Sequence, residues 1–328
     1  MTDSPAAPLV ADLSEDGLLA RIFPHLPRGP RTLVGPGDDA AVVTAPDGRV
    51  VVTTDVLVED RHFRRDWSTG DDVGHRAAVQ NLADVAAMGA VPTSLVVALV
   101  VPGDLPADWV EGLARGFGAA CGPHGVDVVG GDLSGGPVVV VAVTAHGDLE
   151  GRPPVLRSGA RPGDVVAHAG VCGTSAAGYA ALAAGRPEVD PGAVGDFRRP
   201  TSPLAAGPDA AVAGATAMLD VSDGLLRDAE RLGRASGVVV DLDDPEVALA
   251  ADLDRVRPTA AALGADPVAW VLGGGEDHGL LATFPPDVAL PAPFRRVGVV
   301  RAPEAQGSGV LVQGSVPTVR AGWDHFAG

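Results

Sequence analysis

The sequence predicts an α/β protein built as two domains. Three observations carry that expectation: β-branched runs alternate with helical stretches, the composition breaks sharply over 150–164 (EGRPPVLRSGARPGD), and the alternation resumes after the break. With 328 residues the chain is long enough to bury two cores. Domain spans of 1–150 and 151–328 follow.

In chain order, Leu13 to Phe23 has helical spacing and a Pro/Gly-rich turn comes next. RVVVTTDVLV (49–58) and TSLVVALVV (93–101) have the β-branched density of strands, with a helix over 73–90 between them. A helix over 106–121 leads to a strand over 125–129, a turn at GGDLSGG and a strand over 137–145. Beyond the break the pattern reads strand 165–169, helix 173–184, strand 216–221, helix 224–235 and strand 237–242. A less regular region follows, and strands over 279–284, 294–300 and 309–313 close the list of elements.

Composition narrows the chemistry. A net charge of −18 and a pI near 4.6 repel nucleic acid and anionic lipid. No apolar run is long enough to cross a bilayer and the first residues lack a secretory pattern, so a cytoplasmic protein is expected. Cys121 and Cys172 are too few for a disulfide framework or a zinc site. The basic residues include no lysine, which removes a Walker A lysine, a protein-kinase lysine and a pyridoxal phosphate Schiff base. Any phosphate handled here must be met by metals and arginine.

The placement of the aspartates is more telling than their number. GPGDDAAVV sets Asp38 and Asp39 in a glycine turn, VVTTDVLV buries Asp55 beside Thr53 and Thr54 in a core strand, and NLADVAAMGA puts Asp84 among apolar helix neighbours. Asp132 in VVGGDLSGG and Asp220 in MLDVSDGLL fall at strand ends, the latter followed by Ser222 and Asp223. A carboxylate in an apolar setting needs a cation or strong donors, and aspartates clustered with hydroxyls suit Mg²⁺. Plainer roles remain open for several: an Asx turn at Asp38 and Asp39, and a helix cap at Ser222 or Asp223. GGD at 130–132 and GGGED at 273–277 are either simple turns or places where backbone approaches a phosphate.

Read in order, GPGDDAAVV, TTDVLVEDRHF, NLADVAAMGA, VVGGDLSGG, RSGARPGD, DVSDGLLRDAERLGRASG, LGGGED and the terminal GWDHF resemble thiamine-monophosphate kinase, in the superfamily of aminoimidazole ribonucleotide synthetase. The resemblance implies a two-domain α/β fold whose N-terminal sheet pairs with that of a second subunit into a barrel, hence a homodimer. It implies transfer of the γ-phosphoryl group of ATP to thiamine monophosphate with several Mg²⁺ ions. Metal ligands then fall on Asp39, Thr53, Thr54, Asp55, Asp84, Asp132, Asp220 and Asp223, with Asp55, Asp84 and Asp132 in the catalytic cluster. ATP contacts fall on Gly131, Asp132, Arg157 and Ser222, and acceptor contacts on His62, Glu276 and Trp323. On residue chemistry alone His62 is an ordinary histidine, Arg157 a solvated linker residue or a phosphate clamp, and Trp323 a tail anchor or a stacking platform. GEDHGL stands where the family has GEDYEL, so His278 and Gly279 alter the wall beside Glu276.

In such a reaction the nucleophile is a phosphate oxygen already ionised at neutral pH, so alignment and charge neutralisation suffice and no phosphoenzyme is needed. Another ATP-dependent enzyme of the superfamily and a catalytically silent nucleotide- or metal-binding protein are the alternatives.

Overall fold

Pairing of the β-branched runs into two sheets fixes the framework. The computed structural model describes residues 8–27, 29–34, 42–303, 309–319 and 322. It divides into two compact units: the described residues up to Leu82 with Pro92–Asp148, and Ala83–Val91 with the described residues from Leu149 onward. The second unit thus takes the last turns of a helix that lies in the first half of the sequence.

The first unit contains helices α1 (Glu15–Ile22), α2 (Gly70–Ala87, which runs on into the second unit) and α3 (Ala107–Cys121). Its strands are β1 (Thr32–Val34), β2 (Val42–Val43), β3 (Val51–Val58), β4 (Val91–Val101), β5 (Asp127–Gly135) and β6 (Val140–Asp148). Among the described residues β3, β6, β4 and β5 form a four-stranded sheet in that order, antiparallel between β3 and β6 and parallel between β4 and β5. Alternation turns Leu57, Val141, Val143, Ala145, Leu95 and Leu99 into the core. Helix α3 meets that core with Val110, Leu113, Ala114, Phe117 and Cys121, the spacing of one helical face.

Two expectations are corrected here. GGDLSGG is strand rather than turn, because β5 continues through Gly135 beside β4. A Cβ at residue 131 would run into the Val97 carbonyl, so glycine is what lets the two backbones pair so closely. Asp132 therefore lies within a strand, not at its end. Asp55 is exposed rather than buried, because β3 is an edge strand whose outer residues Val52 and Val56 are also open.

The second unit has strands β7 (Val165–Ala169), β8 (Ala217–Val221), β9 (Val239–Leu242), β10 (Gly279–Phe284), β11 (Arg295–Arg301) and β12 (Gly309–Val312). Among the described residues they form a six-stranded sheet in the order β12-β9-β11-β7-β10-β8, antiparallel except between β12 and β9. One face packs Leu219, Val221, Val240 and Leu281 against α7 (Leu225–Ser236), and the other packs Met218, Leu280, Ala282 and Phe284 with Ala87 of α2 and with α6 (Ala206–Ala213). Helices α4 (Thr174–Ala183), α5 (Pro191–Arg198), α8 (Pro245–Ala248), α9 (Ala250–Leu263) and α10 (Pro267–Gly273) complete it. The less regular stretch after β9 is thus mostly helical. Its Ala, Gly and Pro content, including Pro258 inside α9, blurs the apolar period that would have announced it.

Candidate active site

Strand alternation along β8 sends Leu219 and Val221 into one core and Met218 into the other, and Asp220 shares the Met218 face. Asp220 is only 5% exposed. Burial pushes its carboxyl above the usual carboxylate range, against the His278 and Arg157 charges and the Ser222 hydroxyl that pull it down. Arg157 reaches this corner because the Met218 N–H donates to Leu156 O at 3.1 Å, laying the proline-rich segment along the edge of β8. Asp84 stands one helical turn before Ala87, which packs on this same face of the sheet.

The turn after β8 leads into α7, whose N-cap is Gly224 at φ 113 with no side-chain cap. Neither Ser222 nor Asp223 caps the helix. Instead the Asp223 N–H donates to Asp228 Oδ2 at 2.9 Å, and Arg231 spans both carboxylates, at 2.5 Å from Asp223 Oδ2 and 2.7 Å from Asp228 Oδ1. Arg227 stands 3.7 Å from Asp223. Burial pushes the Asp228 carboxyl up to about 7, with Asp220 adding to the push and Arg231 opposing it.

The GGGED segment is anchored on both sides. Glu276 N–H donates to Ser222 O at 2.7 Å and His278 N–H to Val221 O at 3.1 Å. Asp277 is buried and accepts from Gly173 N at 2.5 Å, Thr174 Oγ1 at 2.9 Å and Ser175 N at 2.8 Å, closing the N-terminus of α4. Burial raises its carboxyl to about 6 in spite of those donors. Glu276 and His278 are held at φ 69 and φ 51, a conformation costly for residues with a Cβ and stabilised here by these bonds. The His278 Nε2 lies 3.6 Å from Glu276 Oε2. Gly279 has its own reason, since a Cβ there would press on the buried His168 ring and the Ala169 carbonyl.

Gly322 sits against the Asp223 carbonyl and the Arg227 side chain at φ 59, a place that only glycine fills. Gly322 thus lies at the Asp223 corner. Trp323 itself, like Asp39, lies outside the described residues.

In the first unit Thr53 and Asp55 share one face of β3 and Thr54 faces the other way, where its Oγ1 donates to Val143 O at 2.9 Å. His62 is half-buried and its Nδ1 accepts from the Val58 N–H at 3.0 Å, which leaves Nε2 as the ring's donor. Gly131 and Asp132 are exposed on β5, with Ser134 Oγ donating to Asp132 Oδ2 at 3.0 Å. Asp55 and Asp132 occupy opposite edge strands, about 14 Å apart at ordinary strand spacing. The first unit therefore does not bring Asp55 and Asp132 together, whereas the second gathers Arg157, Asp220, Ser222, Asp223 and Glu276 into one corner.

Among the described residues no three acidic, histidine or cysteine side chains converge tightly enough to hold a metal unaided. Mg²⁺ asks for less, keeping waters and adding one or two carboxylates to substrate phosphates. Asp220 fits that demand: its burial makes the charge costly as it stands, and a cation would relieve it. Asp277, Asp228 and Arg231 were missed as parts of the site from sequence. The Asp-x-x-Arg spacing of Asp228 and Arg231 on a helix was the available signal for that pair, and the Glu276 neighbour for Asp277.

Comparisons with known proteins identify the family. The family described as "AIR synthase related protein, N-terminal domain" matches residues 37–149. Thiamine-monophosphate kinase of Mycobacterium tuberculosis is 47% identical over 324 residues, covering 98% of this chain and 94% of its own. That of Corynebacterium glutamicum is 41% identical over 297 residues, covering 88% of each. Among solved structures, AaThiL complexed with AMPPCP and TMP superposes with a TM-score of 0.77 at 32% identity, covering 96% of this chain and 98% of that one. With 98% of its length aligned at 47% identity, the chain belongs to the thiamine-monophosphate kinase family.

Proposed function

We propose that the protein transfers the γ-phosphoryl group of ATP to thiamine monophosphate, giving thiamine diphosphate and ADP. The observation that carries this is the corner of the second unit, where a buried Asp220 is set among Ser222, Arg157, Asp223 and the open N-terminus of α7. Such a corner suits a phosphate with its counter-ions. The relative complexed with AMPPCP and TMP supports the same pair of substrates.

Arg157 and Ser222, with Gly131 and Asp132, bind the nucleotide; Glu276, His62 and Trp323 orient the acceptor. Asp39, Thr53, Thr54, Asp55, Asp84, Asp132, Asp220 and Asp223 are the ligands of several Mg²⁺ ions, Thr54 through its carbonyl because its side chain faces away from Asp55. Bound Mg²⁺ supplies the positive charge that lets two anions meet in a protein of net charge −18. Asp277 fixes the backbone that presents Glu276. The acceptor oxygen is already ionised, so no residue need remove a proton. It forms the new P–O bond as the bond from the γ-phosphorus to the bridging oxygen breaks, and ADP leaves.

The exposed Val52 and Val56 on β3, and the separation of Asp55 from Asp132, support a homodimer in which two such sheets close on each other. A cytoplasmic location agrees with ATP as co-substrate and with two buried free cysteines. No helix among the described residues is long and apolar enough to cross a membrane.

The test is to supply the purified protein with ATP, MgCl₂ and thiamine monophosphate and to follow thiamine diphosphate. ATP chiral at the γ-thiophosphate should give inverted product, and labelled ATP alone should leave no label on denatured protein. Retention with covalent label would replace direct transfer by a phosphoenzyme. ATP consumption with no thiamine diphosphate would point to another acceptor.

A further inference from the structure

The Asp223 carboxylate has a resident cation. Arg231 Nη2 stands 2.5 Å from Asp223 Oδ2 while its Nη1 stands 2.7 Å from Asp228 Oδ1, and Arg227 Nε is 3.7 Å from the same Asp223 Oδ2. The two carboxylates differ in their freedom. Asp228 is 1% exposed and is fixed by the Asp223 N–H, so it holds Arg231 permanently. Asp223, with a side chain 17% exposed, lies at the mouth of the corner next to Ser222 and Gly322. The Arg231 side chain is 38% exposed, so a ligand arriving from solvent can reach it.

We infer that Arg231 is an exchangeable counter-ion, which holds Asp223 until that carboxylate is taken by a metal and then donates the freed N–H to the phosphate of the acceptor. This rests on the proposed role of Asp223 as a Mg²⁺ ligand. The planar guanidinium suits the exchange, because one prong stays on Asp228 while the other changes partner from carboxylate to phosphate; a lysine ammonium has no such fork. Neutralisation of Asp223 is thus continuous, by arginine before loading and by metal after it. A consequence is that the cation opposes metal at Asp223 when no acceptor is present. The acceptor, by taking the guanidinium, favours the metal, so each ligand helps the other.

The test uses Mn²⁺ as the spectroscopic probe, titrated into the full-length protein by electron paramagnetic resonance with and without thiamine monophosphate. Arg231→Met should bind Mn²⁺ about tenfold more tightly than wild type without acceptor, and the tightening that acceptor causes in wild type should vanish. In steady state its KM for thiamine monophosphate should rise about tenfold, with KM for ATP within about twofold. Unchanged or weaker Mn²⁺ binding in R231M would make Arg231 a brace for α7 and overturn the inference, and so would an equal rise in both KM values. Asp223→Asn measured alongside separates the layers. If D223N keeps every Mn²⁺ site, the ligand role of Asp223 fails; if it loses one while R231M is unchanged, only the exchange fails. Should R231M not fold for want of a cation at Asp228, the double variant D228N/R231M carries the same measurements.

Discussion

On β5 of the first unit Asp132 is exposed and shares a hydrogen bond with Ser134, while on β8 of the second Asp220 is 5% exposed and closed in by Ser222, Arg157 and His278. Both are proposed to hold metal. Asp132 keeps its hydration without ligand and costs the fold nothing, whereas Asp220 has lost it and is stabilised in part by neighbouring cations. Function and folding are therefore separable in the first unit and entangled in the second.

The largest expected effect tests that separation directly. Asp132→Asn should lower kcat/KM at least about a hundredfold, roughly 2.7 kcal/mol of transition-state stabilisation, with urea-unfolding stability within about 0.5 kcal/mol of wild type. A variant that keeps more than about a tenth of the turnover would remove Asp132 from the essential ligands. Asp277→Asn should destabilise the second unit by about 2 kcal/mol, since it weakens a buried acceptor of three donors. Release of Glu276 from φ 69 should raise KM for the acceptor and not for ATP. Equal KM changes would show that the segment only supports the fold.

Asp220→Asn sharpens the contrast by sign. It should inactivate like D132N and yet stabilise the metal-free protein at pH 8 by about 1 kcal/mol, because an amide needs no counter-ion. Destabilisation would mark Asp220 as a structural acceptor.

The remaining effect is a change of slope in the pH dependence of stability. Burial, with Arg295 nearby, lowers the His168 ring to about 3 from 6.5. The unfolded chain takes up that proton below about 6.5 and the folded one does not, so stability falls as pH drops from 6.5 towards 3, by at most about 1.4 kcal/mol per pH unit. Asp277 acts oppositely, its raised value costing stability as pH climbs from 3.8 to about 6. The difference between wild type and His168→Gln in urea unfolding isolates the histidine. An unchanged slope would mean that His168 titrates as an exposed ring does.

Much of this was legible in the residues. Strands over 165–169 and 279–284 appear where their apolar runs lie, and both cysteines are buried. Asp220 stood out because a carboxylate in an apolar strand is rare without a purpose. Asp55 misled for the same reason: VVTTDVLV reads as a buried strand, and nothing local says that β3 is an edge. Helices α5, α6 and α9 were hidden by alanine, glycine and proline, which fit a helix face only once a neighbour supplies it.

The sequence by itself determined the family, the alternation of strands and helices, and the identity of the acidic residues, because motif order and side-chain type are properties of the chain. Only the tertiary structure decided which carboxylates are buried and who neutralises them. Arg157 meets Asp220 through a segment laid along β8, and Asp277 caps a helix some hundred residues earlier. Burial and counter-ion choice depend on contacts between segments distant in sequence, and no local pattern encodes that distance.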